Sequence, residues 1–168
     1  MGALLALLAL LASPPVTVET ASCERGRAPG YFVPGGDAAI IGCARLGVSG
    51  KPVELSANTE RIGRSRQVCV NPAYRGRGQM GTYIPARCVS PAALGELRIV
   101  ASEVPRQAVR GYELVVWGTA PASARRVVAY HPGGRAIAAV FRVRRGSVFI
   151  AELPLSAAGH PVEVRALD

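Results

Sequence analysis

The sequence predicts an all-β, antiparallel protein with a disulfide-stapled N-terminal part. Three observations predict it. β-Branched and aromatic residues alternate with period two through the second half; 19 Gly and 13 Pro punctuate the 168 residues too often for a helical bundle; and four cysteines all fall at or before Cys88. A chain with 49% hydrophobic and 18% charged residues has the material for a packed core and is not disordered.

Residues 1–22 read as a signal peptide. Ala3 to Ala12 form an unbroken Ala/Leu run ended by Ser13, Pro14 and Pro15. That run falls short of the roughly 20 apolar residues of a spanning helix and suits the apolar stretch of an export signal. No Lys or Arg precedes it, so either the true start lies upstream of Met1 or the signal is atypical; a helix packed on the domain is the competing reading. Thr20-Ala21-Ser22 supplies small residues for cleavage before Cys23. The same four residues also resemble a lipoprotein signal with a lipidated Cys23, although Thr20 stands where an aliphatic residue is expected.

Residues 23–90 form the disulfide-stapled β region. Its strand candidates are short: Ala38 to Leu46, Lys51 to Ser56, Gln67 to Val70 and Thr82 to Ile84. Cys23, Cys43, Cys69 and Cys88 are even in number, and no pair has the C-x-x-C spacing of zinc or thiol-redox sites. The expectation is two structural disulfides. Of the possible pairings, Cys23 with Cys43 and Cys69 with Cys88 is favoured because sequential loops close most easily. Four buried thiols in a cytosolic protein are the competing reading.

Residues 91–168 carry the clearer pattern. Leu97, Ile99 and Ala101 alternate with Arg98 and Val100; Tyr112, Leu114 and Val116 alternate with Glu113, Val115 and Trp117. Arg125 to Tyr130 and Arg135 to Arg144 flank His131-Pro132-Gly133-Gly134, a hairpin connection, and Val148 to Leu153 and Val162 to Leu167 follow. On the strand Arg135 to Arg144, the set Ile137, Ala139, Phe141 and Val143 is expected inward, with Arg142 and Arg144 outward. The segments Trp117-Gly118-Thr119-Ala120-Pro121, Ala124 to Val127, Ser147 to Ala151 and Val162-Glu163-Val164 resemble, in pattern, the immunoglobulin-like β modules of exported bacterial proteins. That resemblance implies an antiparallel immunoglobulin-like β-sandwich with a display, spacing or binding role, and no reaction.

The basic residues number 20, all arginine except Lys51, against 11 acidic ones, for a net charge of +9. Arg61, Arg64, Arg66, Arg75 and Arg77 in one glycine-rich stretch, with Arg142 and Arg144, are the candidates for binding an anion. The partners this implies are anionic cell-envelope polymers or lipid headgroups; a plain solvated surface is the competing reading. Nucleic acid is not expected, because aromatic residues for stacking make up only 5%.

Chemistry-bearing patterns are few. Gly76, Gly78 and Gly81 have the G-x-G-x-x-G spacing, but Thr82-Tyr83-Ile84-Pro85 is β-like and no helix follows to present its amides to a pyrophosphate. Arg75-Gly76-Arg77-Gly78 resembles the acetyl-CoA loop of the GNAT acetyltransferases, and departs from it where Met80 occupies the place of the next glycine. His131 and His160 each precede a proline in a turn, and no G-x-S-x-G elbow accompanies them. Glu96, Glu103, Glu113, Glu152 and Glu163 lie on or beside alternating strands and read as solvated faces rather than a glycosidase pair. No cofactor and no metal are expected. The expectation is therefore an exported, non-catalytic β-protein, secreted or envelope-associated, with a structural or binding role. A small exported hydrolase using either histidine is the rival, and an acetyl-CoA-dependent acetyltransferase the third reading.

Overall fold

The computed structural model describes residues 18–19, 39–46, 50, 52–74, 84, 86–104, 114–143 and 145–168. Among them the protein is all-β and antiparallel, with no α-helix. The strands are β1 (Val18–Glu19), β2 (Ala39–Arg45), β3 (Pro52–Ile62), β4 (Ser65–Tyr74), β5 (Arg87–Val89), β6 (Arg98–Glu103), β7 (Leu114–Ala120), β8 (Arg126–His131), β9 (Gly134–Ile137), β10 (Ala139–Val143), β11 (Gly146–Leu153) and β12 (Glu163–Leu167). They form a first sheet in the order β1-β2-β3-β4-β5, a central sheet β10-β11-β7-β6 and a third sheet β12-β8-β9. Val18 and Glu19, within the segment read as a leader, pair with Ala44 and Cys43.

Every residue of β7 and β11 is buried, which makes the central sheet the middle of three layers. Val115, Trp117, Val148 and Ile150 join Ala139 and Phe141 in one core with Ala44, Val53, Leu55, Val70 and Val89 of the first sheet. Leu114, Val116, Phe149, Ala151 and Leu153 join Val127 and Ala129 of the third sheet in a second core. Alternation therefore divides these strands between two cores, not between a core and water. The apolar runs Leu114 to Trp117 and Val148 to Ala151 have hydrophobic residues at both parities, as strands buried on both faces require. At one edge, an ion pair from Arg87 of β5 to Glu103 of β6 bridges the first sheet to the central one.

Several expectations change. The strand read from Arg135 to Arg144 breaks at Ala138, whose backbone N–H donates to Val127 O at 2.9 Å while the chain crosses from the third sheet to the central one. Ile137 thus belongs to a different sheet from Ala139 and Phe141. The hairpin connection is tighter than read, because His131 pairs with Gly134 and leaves Pro132-Gly133 as the turn. An irregularity between Ile99 and Ala101 sends Ile99 to the second core and Ala101 to the first. β3 and β4 run well past the short segments expected. Pro72 interrupts neither, because β5 pairs only with Val68 to Val70 and the missing N–H of Pro72 lies beyond its end. Of Thr82 to Ile84, only Ile84 is among the described residues; it is buried and outside any strand.

Gly146 opens β11 where the backbone of Leu94 comes closest, and a Cβ there would collide with the carbonyl oxygens of Leu94 and Ala120. Gly146→Ala is expected to cost about 2–3 kcal/mol of stability through forced backbone displacement, read as a lower denaturant midpoint at unchanged slope.

Candidate functional site

The β3–β4 pairing runs from Val53 opposite Tyr74 to Ile62 opposite Ser65. Neighbouring strands do not follow it that far: β2 reaches only Ala57, and β5 only Val68. Among the described residues, 59–67 therefore form a two-stranded ribbon that leaves the sheet. Gly63 and Arg64 make its turn. Gly63 takes φ 61°, a conformation that costs glycine little, and the Ser65 hydroxyl donates to the Ile62 carbonyl at 3.2 Å.

Arg61 and Arg66 stand directly opposite one another on this ribbon, with Arg64 in the turn, and all three are exposed. None of the three has a hydrogen bond or ion pair among the described residues. Like charges directly opposite in an antiparallel pair repel and destabilise it. The arrangement is a concentrated cation without an internal counter-ion.

The ribbon's root is braced. Asn58, with 3% of its surface exposed, donates from Nδ2 to Glu60 Oε1 at 2.8 Å and accepts at Oδ1 from Asn71 Nδ2 at 3.3 Å. Opposite Asn58 lies Cys69, and a disulfide joins Cys69 to Cys88 across the β4–β5 pair. The Glu60 carboxylate and these two sulfurs lie within 4.8 Å of one another, yet sulfurs bonded to each other are not thiolate ligands, so the group holds no metal. Cys43 is also disulfide-bonded; Cys23 lies outside the described residues.

Of the seven arginines singled out from sequence, the structure brings Arg61, Arg64 and Arg66 together. Arg142 sits on β10 in another sheet, where its guanidinium donates to the Ala122 carbonyl and, at 3.3 Å, to Ser147 Oγ, tying the strand to a turn. Arg75, Arg77 and Arg144 lie outside the described residues, as does the glycine loop at Gly76, Gly78 and Gly81.

Sequence reasoning missed a further basic face. Arg165 lies beside Val128, and Arg135 beside Tyr130, so with Arg126 they share the outer side of the third sheet. Arg165 Nε donates to Glu163 Oε1 at 2.7 Å and its guanidinium lies 4.9 Å from the Tyr130 ring centre. That hydrogen bond first, and the positive charge second, hold the Glu163 carboxyl below its ordinary value. The signal in the sequence was the alternation Arg126-Val127-Val128 and Glu163-Val164-Arg165, legible only once strand register aligns it.

No catalytic constellation forms among the described residues. His131 Nδ1 accepts from the Gly133 backbone N–H at 3.2 Å, and His160 is exposed in a turn; neither meets a carboxylate or hydroxyl. Of the carboxylates read as solvated, Glu152 is instead 2% exposed on β11 and has an interaction partner, because β11 is covered on both faces. Glu103 and Glu163 are ion-paired, Glu96 is exposed, and Glu113 lies outside the described residues.

No family model, curated protein or solved structure matches the chain. The Cys69–Cys88 disulfide is compatible with an extracellular protein, and among the described residues no helix is long and apolar enough to cross a membrane.

Relieving the cross-strand repulsion stabilises the ribbon. Arg66→Thr is expected to raise stability by about 0.5 kcal/mol at low salt, a gain that shrinks as added salt screens the wild-type pair; thermal melts across a salt series read both. Replacing Cys69 and Cys88 together by Ser is expected to cost about 3 kcal/mol, measured by denaturant unfolding against the oxidised wild type.

Proposed function

We propose that this is an exported, non-catalytic β-protein whose arginine ribbon binds an anionic component of the cell envelope, a polymer or a lipid headgroup. One observation carries the reading: Arg61 faces Arg66, with Arg64 between them in the turn, at an exposed end where no acidic side chain is paired with them. A phosphate or carboxylate bridging the two guanidinia replaces repulsion with charge-assisted hydrogen bonds. Arg87 and Arg165 are paired, with Glu103 and Glu163, while Arg98, Arg125, Arg126 and Arg145 are exposed without a side-chain partner among the described residues; what sets the ribbon apart is that two of its arginines stand face to face.

The strand order supports an immunoglobulin-like sandwich as the scaffold. The orders β6-β7-β11-β10 and β9-β8-β12 correspond to A-B-E-D facing C′-C-F of that fold. Three features depart from antibody-type domains: among the described residues no strand stands in the place of G beside β12, Trp117 lies on the second strand and faces the first sheet, and the described disulfide joins β4 to β5 outside the sandwich. Such a scaffold presents loops and edges and carries no reaction of its own.

Titration with inorganic polyphosphate tests the reading. The oxidised wild type is expected to bind with an affinity that falls steeply with salt. Arg61→Ser with Arg66→Ser is expected to lower the slope of log affinity against log salt by roughly two, as for two lost phosphate contacts. Binding that is salt-independent, or equal in the double variant, refutes the assignment of the site to the ribbon.

A further inference from the structure

We propose that the ribbon docks end-on at an anionic lipid bilayer, with Ile62 entering the headgroup boundary and Arg61, Arg64 and Arg66 engaging lipid phosphates. The proposal rests on the anion-binding reading above and names the partner of that same site. Its basis is Ile62, which at 45% exposure is the most exposed large hydrophobic residue among those described.

Successive strand residues point to opposite sides, so Ile62 projects from one face of the ribbon and Arg61 and Arg66 from the other, with Arg64 at the turn between them. The tip is amphipathic. A soluble polyanion gains from the arginines and nothing from Ile62. A bilayer surface uses both, because its phosphates lie immediately outside an apolar interior. Among the described residues, 61–66 are all exposed, on a ribbon that extends past the pairing reach of both flanking strands, which leaves its tip open to a surface.

The tip is also suited to a poorly hydrated boundary. Ser65 Oγ supplies a donor to the Ile62 carbonyl, a group that would otherwise lose a water partner on docking. The Asn58 network and the Cys69–Cys88 bond brace the root, so less conformational freedom is lost on binding.

The test uses the oxidised full-length protein in co-sedimentation with phosphatidylcholine vesicles, with and without phosphatidylglycerol, beside the polyphosphate titration. Binding is expected only where phosphatidylglycerol is present, weakening about fivefold for each arginine removed. Ile62→Ser is expected to weaken vesicle binding about fivefold while leaving polyphosphate affinity unchanged. Because Ile62 is exposed, this variant retains the fold, which its circular dichroism and melting temperature verify. Vesicle binding unchanged by Ile62→Ser, or equal binding to vesicles lacking phosphatidylglycerol, overturns the proposal. Polyphosphate binding without vesicle binding overturns bilayer docking and leaves the anion-binding reading standing. Failure to bind either probe removes both.

Discussion

The structure depends on one constraint: the central sheet has no face it can give to water. β7 and β11 are apolar at both parities and buried throughout, so the sheet needs a cover on each side. The third sheet supplies one, and the N-terminal first sheet supplies the other. This gives the N-terminal strands a structural task that composition alone does not suggest. Without them Trp117, Phe141, Val148 and Ile150 would form an apolar face of the kind that drives association. Trp117 shows what the arrangement costs. Its ring is wholly buried and removes a large area from water, while Nε1 has no acceptor among the described residues, where a buried donor ordinarily takes one.

The same first sheet then does something its covering role does not require. Val53 and Leu55 of β3 and Val70 of β4 point into the core, yet both strands continue past the reach of β2 and β5. The border between buried and protruding parts falls at Asn58 and Cys69. A buried amide is tolerable there because both ends of the Asn58 side chain are hydrogen-bonded, and the disulfide ties β4 to its last neighbour at the same level. A two-stranded hairpin is marginal by itself in water. Rooted in this way, it can hold three cations at its end.

Much of the fold was legible in the sequence. Period-two runs located the strands from Leu97 onward, and loop length singled out Cys69 with Cys88. What escaped was whatever depends on a second strand. The sequence from Arg135 to Val143 gives no local sign of the crossing at Ala138, because it continues as one apolar-rich run through both sheets. The burial of Glu152 follows from the first sheet lying over β11, not from its neighbours in sequence. Pro72 fits inside β4 because β5 stops short of it, which no local pattern announces. Arg61, Arg64 and Arg66 were nameable as a basic stretch. That Arg61 faces Arg66 is a matter of register, fixed by the Gly63-Arg64 turn, and the polar residues Asn58 to Glu60 concealed a strand long enough to carry it.

Register also separates the ribbon from an ordinary solvated surface. With 20 basic residues against 11 acidic ones, unpaired arginines are unavoidable, and dispersing them would minimise their repulsion. Several arginines elsewhere are individually accommodated: Arg87 reaches Glu103, Arg142 caps a turn, and Arg165 rests between Glu163 and Tyr130. The ribbon does the opposite, setting Arg61 against Arg66 and adding Arg64 at the narrowest point. No packing requirement explains this, since residues 61–66 contribute nothing to either core. Repulsion maintained at an exposed tip is a stability cost, and under the proposed anion binding its relief would form part of the affinity.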